Sequence, residues 1–378
     1  MRRRVVVFCS DVYSSLGLVR SLGEAGYRPE CYCYGTNCDY ILASKYISQG
    51  KSFPSASDVL SYLLNDYPSY QEKPVLYTLP DPPAYLVDQH LDQLKDKFVL
   101  MNAGQQGALG YWMNKKTIAE MARKHGLNIP RTIELSKGDA LPDTITYPVF
   151  TKSIKTVDGG KCDEGICWNR AALEEKISSM TSDAFLVQEY VKKKLEICYF
   201  GLSLKGKVYI DYHDEISRFP DGAFGYYGPI MKSEHDETWR NCVSMMEEIG
   251  YDGLFDIEFL LGENGKLYFM EVNFRVDGAI YKLTPGINLP AEWCRLISMA
   301  ADNLPDHLPT KKAYFTGITE VYDFKYSVLS GQMNVFKWVW QFCRADQYML
   351  LNSQDMKPVF VWAYRCISRR FHRQEKTH

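Results

Sequence analysis

The chain has 378 residues, with 44 Lys and Arg against 46 Asp and Glu, for a formal net charge of −2. That length is too great for one typical core and calls for two or three domains, and the charge balance argues against general nucleic-acid binding. Its 11 scattered cysteines form no C-x-x-C pair, so buried reduced thiols in a cytoplasmic setting are expected rather than a disulfide framework. Cys31, Cys33 and Cys38 come nearest to a cluster, but no His accompanies them.

Arg2–Arg4 ahead of Val5–Phe8 briefly imitates a signal peptide, but the apolar run is too short for an h-region and Asp11 ends it. Val5 to Cys9 reads instead as a buried parallel strand. Leu16, Val19 and Leu22 predict a helix from Leu16 to Ala25, stopped by Gly26, and a strand at Glu30 to Tyr34 follows. This β-α-β start predicts a doubly wound α/β domain. A helix at Asp58 to Leu64, a strand ending at Leu79, a turn at Pro80 to Pro83 and a helix at Tyr85 to Leu94 continue it. Neither a dinucleotide fingerprint nor a Walker A sequence is present.

Near residues 104 to 110 the character of the chain changes. Asn114 can cap a helix from Lys115 to His125, with Gly126 as its stop. Strands are predicted at Arg131 to Leu135, Val149 to Ser153, Ile166 to Trp168 and Phe185 to Tyr190, with a helix at Ala171 to Ser178. Longer strands at Glu196 to Leu204 and Lys207 to Tyr212 flank the turn Lys205–Gly206, and helices follow at Thr238 to Ile249 and Leu289 to Ala300. No stretch approaches the roughly 20 apolar residues of a transmembrane helix. The basic C-terminus (Arg365, Arg369, Arg370, Arg373, Lys376) reads as a frayed, solvated tail, with contact to an anionic membrane as the alternative.

The segment Gly253 to Arg275 carries the chemistry. Asn264–Gly265 predicts a two-residue hairpin turn, with residue 263 opposite 266. Glu258 then faces Glu271, and Asp256 faces Asn273. Phe255, Ile257, Phe259, Met270, Val272 and Phe274 share the other face. Like charges directly opposed on a sheet are destabilising, and a cation between them removes the penalty. Oxygen-only ligands suit Mg²⁺ carrying substrate phosphates; acids pointing apart into solvent are the alternative. Lys152 closes one strand ahead of a polar loop with Gly159 and Gly160, a pattern that can wrap phosphates or simply join two strands. Gln188, Glu189, Tyr190 and Val191 end another strand, and Glu196 follows. Arg218 lies in a Gly- and Tyr-rich loop longer than a turn needs. This loop and the one near Gly159 are candidate lids.

Taken in order and spacing, Lys115, Lys152 with its glycine loop, Gln188 to Val191, Glu196, Phe255 to Phe259 and Met270 to Arg275 resemble the ATP-grasp superfamily. The likeness is greatest to carboxylate–amine ligases of the D-aspartate ligase type, and it covers nearly the whole chain. Gly17 to Gly23, Val75 to Asp81 and Asp355 with Pro358 belong to it. Two departures are Cys162 to Glu164, where relatives are more apolar, and Lys192 to Lys194, in place of a common glycine.

The resemblance implies an α/β domain over residues 1–110 and an ATP-grasp fold over 111–305. The latter has a lid subdomain at about 130–191 and a catalytic subdomain at about 192–305; a C-terminal extension covers 306–378. It implies ATP with Mg²⁺ (Mn²⁺ as the alternative), small carboxylate and amine substrates, and an acylphosphate route to an amide. Lys115 (or its neighbour Lys116) and Lys152 would meet phosphates. Gln188 to Val191 would meet adenine and Glu196 the ribose. Glu258, Glu271 and Asn273 would hold the metal, and Arg275, with Arg218 as a second candidate, would act on the transferring phosphoryl group; Asp256 is not a usual ligand in the family and is read here as a support to them. His213, Asp214, Arg218, Tyr226, Tyr227 and Tyr281 are candidates for the substrate pocket. A small-molecule kinase and a non-catalytic ATP-binding protein are the competing readings.

Overall fold

The computed structural model describes residues 2–154, 160–218 and 226–375. Strands β1 (Val5–Ser10), β2 (Glu30–Tyr34), β3 (Gln49–Phe53), β4 (Val75–Leu79) and β5 (Val99–Leu100) form a parallel sheet in the order β3-β2-β1-β4-β5. Alternation along β1 divides the domain's core. Val5, Val7 and Cys9 pack on one face with the helix Tyr13–Glu24, while Val6 and Phe8 pack on the other with the helix Ala56–Asn65. The polar strand β3 gave no hydrophobic signal because it is an exposed edge. Pro80 to Pro83 is not a free turn. Asp81 begins the helix Asp81–Gln89, whose first turn tolerates proline, and the expected helix at Tyr85 to Leu94 breaks at His90.

Strands β6 (Thr132–Ser136), β7 (Val149–Ser153), β8 (Gly165–Cys167) and β9 (Ala184–Glu189) form a small antiparallel sheet in the order β6-β9-β7-β8, with its own core around Leu173 and Phe185. Asp163 explains part of the unusual segment Cys162 to Glu164. It is fully buried and accepts the backbone N–H groups of Thr181 (2.7 Å) and Ser182 (3.0 Å).

The largest sheet runs β14-β13-β10-β11-β12-β15-β16. Its strands are β10 (Lys193–Leu204), β11 (Lys207–Ile216), β12 (Tyr227–Lys232), β13 (Gly253–Gly262), β14 (Leu267–Asn273), β15 (Tyr314–Ile318) and β16 (Gln347–Tyr348). Residues after 306 thus complete the sheet that carries the acidic hairpin. One hydrophobic core joins this sheet to a face of the N-terminal domain. Gly23 permits one close approach, since a Cβ there would lie 2.2 Å from the Tyr46 ring.

The C-terminus is not frayed as expected. Lys357–Glu375 is a helix, and Arg365 donates to the Thr36 carbonyl (2.6 Å) and Asn37 Oδ1 (3.1 Å) and pairs with Asp39. The side chains of Arg369, Arg370 and Arg373, and Lys376 altogether, lie outside the described residues. Among those described, no helix is long and apolar enough to cross a membrane.

Arg20 and Asp355 fasten the two ends of the chain. Arg20 is fully buried, and its Nε lies 3.1 Å from Asp355 Oδ2. Its Nη atoms donate to the carbonyls of Met349, Leu350 and Asp355. Asp355 also accepts from Ser44 Oγ (2.8 Å) and the Lys45 N–H (2.9 Å). Removing one partner strands the other charge away from water. Arg20→Met is therefore expected to lower stability by about 3–5 kcal/mol, read as a fall in the urea midpoint at unchanged m-value.

Candidate functional site

The acidic hairpin forms with the expected partners by an unexpected route. Asp256 pairs with Asn273 and Glu258 with Glu271, but Phe259 pairs with Phe269 and Leu261 with Leu267. The loop is Glu263, Asn264 and Gly265, closed by Gly265 N–H to the Gly262 carbonyl (3.0 Å), with Gly265 at φ +77°. A three-residue turn of this kind shifts the register by one residue. A β-bulge at Met270 shifts it back, so Phe269 rather than Met270 fills the core position against Phe259.

The acids sit in a network with only partial neutralisation. Asp256 is fully buried; its Oδ1 accepts from Arg275 Nη1 (2.9 Å) and its Oδ2 from Asn273 Nδ2 (2.8 Å). Asn273 Nδ2 also donates to Glu258 Oε1 (3.1 Å). Both amide hydrogens of Asn273 thus face acids, and its carbonyl oxygen has no protein donor among the described residues. Burial first, then Glu271 and Asp256, pushes the Glu258 carboxyl well above its ordinary range. Asp256 rises for the same leading reason, with Asp277 adding to it. Arg275 spends its Nε on Asp81 Oδ1 (3.1 Å), and its Nη1 also lies 3.7 Å from Asp277 Oδ2. No described protein group takes its Nη2. Asp81 and Asp277 had no sequence signal as partners, because only the tertiary fold brings the end of β4 to this hairpin.

No group of three or more His, Cys, Asp or Glu side chains converges as a metal site among the described residues. The donor set here is two glutamates and an amide oxygen. Two facing acids, one with its charged form disfavoured by its neighbours, together with an unpaired amide oxygen, fit a hard divalent cation.

Two lysines supply positive charge nearby. Asn114 caps the helix Lys115–Lys124 through the N–H groups of Lys116 and Thr117. Lys115 is buried, whereas Lys116 points outward and pairs with Glu134 (2.9 Å). Lys152, on β7, is 7% exposed. Burial and the adjacent Lys115 lower its pKa to about 8, opposed by Glu271, Glu164 and Glu258. The two lysines and the acids therefore share one electrostatic site. Gly159 lies outside the described residues, while Gly160 opens the short helical turn Gly160–Asp163.

At the end of β9, Gln188 is buried and donates to Thr132 Oγ1 (2.9 Å). Glu189 N–H donates to the Arg131 carbonyl (2.8 Å), and Tyr190 N–H to that of Pro148 (3.3 Å). Val191 is 8% exposed, yet neither its N–H nor its C=O finds a partner among the described residues. A buried backbone donor and acceptor left open side by side suit a heteroaromatic edge. Glu196 lies on β10 and pairs with Lys193.

The other candidates divide. Asp214 faces the acids and is treated below. His213, one residue earlier, lies on the opposite face against Tyr199 and Ser233. Tyr281 is drawn away by Glu24 (2.6 Å). Tyr226 stacks on Tyr322 and Tyr326. Arg218 lies over the Tyr227 ring and is held by Asp323 (Nε to Oδ1, 3.1 Å) and Gln341. Its guanidinium is thus committed to the C-terminal segment, and the loop after it, 219–225, lies outside the described residues.

No family model matches the chain. The biotin carboxylase of Pseudomonas aeruginosa is 35% identical over 71 residues, which are 18% of this chain and only 16% of that protein. Among solved structures, the N5-carboxyaminoimidazole synthetase of Staphylococcus aureus complexed with ADP has a TM-score of 0.65 at 13% identity, covering 88% of this chain and 86% of that one. The biotin carboxylase domain of Hydrogenobacter thermophilus 2-oxoglutarate carboxylase, with MgADP and bicarbonate, gives 0.63 at 16% identity over 84% and 74%. The L-amino acid ligase of Bacillus licheniformis gives 0.58 at 14% identity over 77% and 73%. The fold of this chain is therefore the ATP-grasp fold behind an α/β domain.

Burial lowers the Lys152 pKa to about 8, and a polyphosphate bound beside it would favour the charged form. Metal-free ADP binding at about pH 8.5 is therefore expected to take up a fraction of a proton, measured calorimetrically in buffers of different ionisation enthalpy; Lys152→Met abolishes the uptake. The contribution of Lys152 alone to the stability of the unliganded protein grows as pH rises from about 8 to the ordinary lysine range near 10.5, because over that window the unfolded chain binds the extra proton; it is read as the difference between the intact protein and Lys152→Met.

Proposed function

We propose that this chain is an ATP-dependent carboxylate–amine ligase. The observation that carries the reading is the pairing of Glu258 with Glu271 on a half-buried sheet face beside Lys115 and Lys152. The ATP-grasp fold supports it, as do structural neighbours whose names describe ligases and a carboxylase, some with bound ADP.

Glu258, Glu271 and the Asn273 carbonyl hold Mg²⁺. When bound there, the ion neutralises charge on the terminal phosphates of ATP. Lys115 and Lys152 add point charges to the phosphates. The open backbone of Val191 with Gln188, Glu189 and Tyr190 meets adenine, and Glu196 meets the ribose. Asp256 holds Arg275 and Asn273 in place from beneath. Arg275 Nη2 is the donor left for the transferring phosphoryl group.

A substrate carboxylate oxygen attacks the γ-phosphorus; the bond to the bridging oxygen breaks and ADP leaves with its electron pair. An amine nitrogen then attacks the acyl carbon of the acylphosphate. The C–O bond breaks, phosphate departs, and the nitrogen loses a proton to give the amide. Most of the protein's contribution is positioning and charge neutralisation, which accords with the lack of a nucleophile–base pair among the described residues of the site. Cytoplasmic placement goes with this reading, since ATP and reduced thiols belong together there.

Glu271→Ala is expected to reduce ADP formation at least about a hundredfold with the melting temperature preserved. Lys115→Met is expected to weaken ADP binding, whereas Lys116→Met leaves it unchanged. Hydroxylamine in place of the amine should yield a hydroxamate with release of free phosphate. A phosphorylated product retaining the γ-phosphate would establish the kinase reading instead.

A further inference from the structure

Two buried charges on the acid face have no part in nucleotide binding. Asp214 on β11 pairs across the sheet with Cys198, Cys198 with Glu258, and Glu258 with Glu271. Asp214 therefore lies on the same face as the metal acids, two strands away from Glu258. It is 4% exposed, and its Oδ1 accepts the Cys198 N–H (3.1 Å).

Lys282 comes from the segment that follows Arg275 and covers this face. It is 6% exposed. Its stem lies over Gly317 on β15, where an added Cβ would stand 2.8 Å from Lys282 Cβ. The side chain thus occupies a channel that only a glycine leaves open. Among the described residues its ammonium has no hydrogen-bond or ion-pair partner. It nevertheless acts on Asp214 more strongly than any other charge, opposing the burial that raises the Asp214 carboxyl to about 7. The two are close enough to interact but do not touch. Asp277 and Glu196 add negative potential on the Asp214 side.

Lys282 is largely buried, yet its ammonium meets no protein acceptor among the described residues and stays open to an anionic ligand. We infer that Lys282 and Asp214 form the substrate subsite, with Lys282 receiving a carboxylate and Asp214 an ammonium group, so that the ligand is a zwitterionic amino acid. This rests on the ligase reading only for the claim that the bound amino acid is consumed. The mixed site would reject a ligand lacking either charge, because one buried group would then stay unpaired.

The test is direct binding of free amino acids, their carboxamides and their des-amino acids to the full chain, with and without MgADP. The intact protein should bind at least one amino acid and favour it over its carboxamide and des-amino analogues by roughly thirtyfold or more. Lys282→Met should erase discrimination against the carboxamide, and Asp214→Asn discrimination against the des-amino acid. Lys282→Met should also leave the melting temperature equal or higher; a structural lysine would lower it. Unaltered discrimination in both variants, or no amino acid bound by a protein that binds MgADP, overturns the inference. Amino acid binding without any MgADP binding would sink the ligase reading and leave the subsite standing.

Discussion

The arrangement depends on holding several carboxylates, Asp256 and Asp214 buried and Glu258 and Glu271 half-buried, on one face of an antiparallel sheet. Burying a carboxylate is unfavourable unless it is paired, and the protein meets that demand unevenly. Asp256, at the bottom, has an arginine and an amide to itself. Glu258 and Glu271 share one amide hydrogen bond between them, made by Glu258 alone among the described contacts. The shortage of positive charge sits where two lysines and an open amide oxygen converge. Lys115 and Lys152 repel one another beside the same acids, which draw on Lys152 in the opposite direction.

Much of this was readable because it is local. The hydrophobic alternation of β13 and β14 sets which residues face the core, and a one-residue slip would have turned every acid outward. The expected turn was wrong by one residue, and the bulge at Met270 restored the register. The pairing of the acids was therefore anticipated for an incomplete reason. The constraint that fixes it is burial of Phe255, Ile257 and Phe259 on the opposite face, not the chemistry of the loop. Asn114 as a cap and Lys205–Gly206 as a turn were legible in the same way, each with the backbone its residue type favours.

What escaped the sequence is long-range. Asp81 is 194 residues from Arg275, and nothing near either position signals the other. Strands β12 and β15 alternate in burial, but glycines (Gly228, Gly317) stand at buried positions and Tyr227, Met231 and Tyr314 at more open ones, so no apolar alternation shows in the sequence, and β16 is only two residues long. Arg218 looked available as a phosphate ligand because arginine in a long loop usually is. The acid that occupies it, Asp323, lies in a region without readable periodicity.

The Arg20–Asp355 clasp spans 335 positions of a 378-residue chain. During synthesis the N-terminal sheet would emerge first and could pair its strands early. Its helix Tyr13–Glu24 would still carry a guanidinium facing inward without its Asp355 partner until 335 further residues had been made. Closure of this body is thus a late event, in which a residue made long afterwards licenses the burial of Arg20.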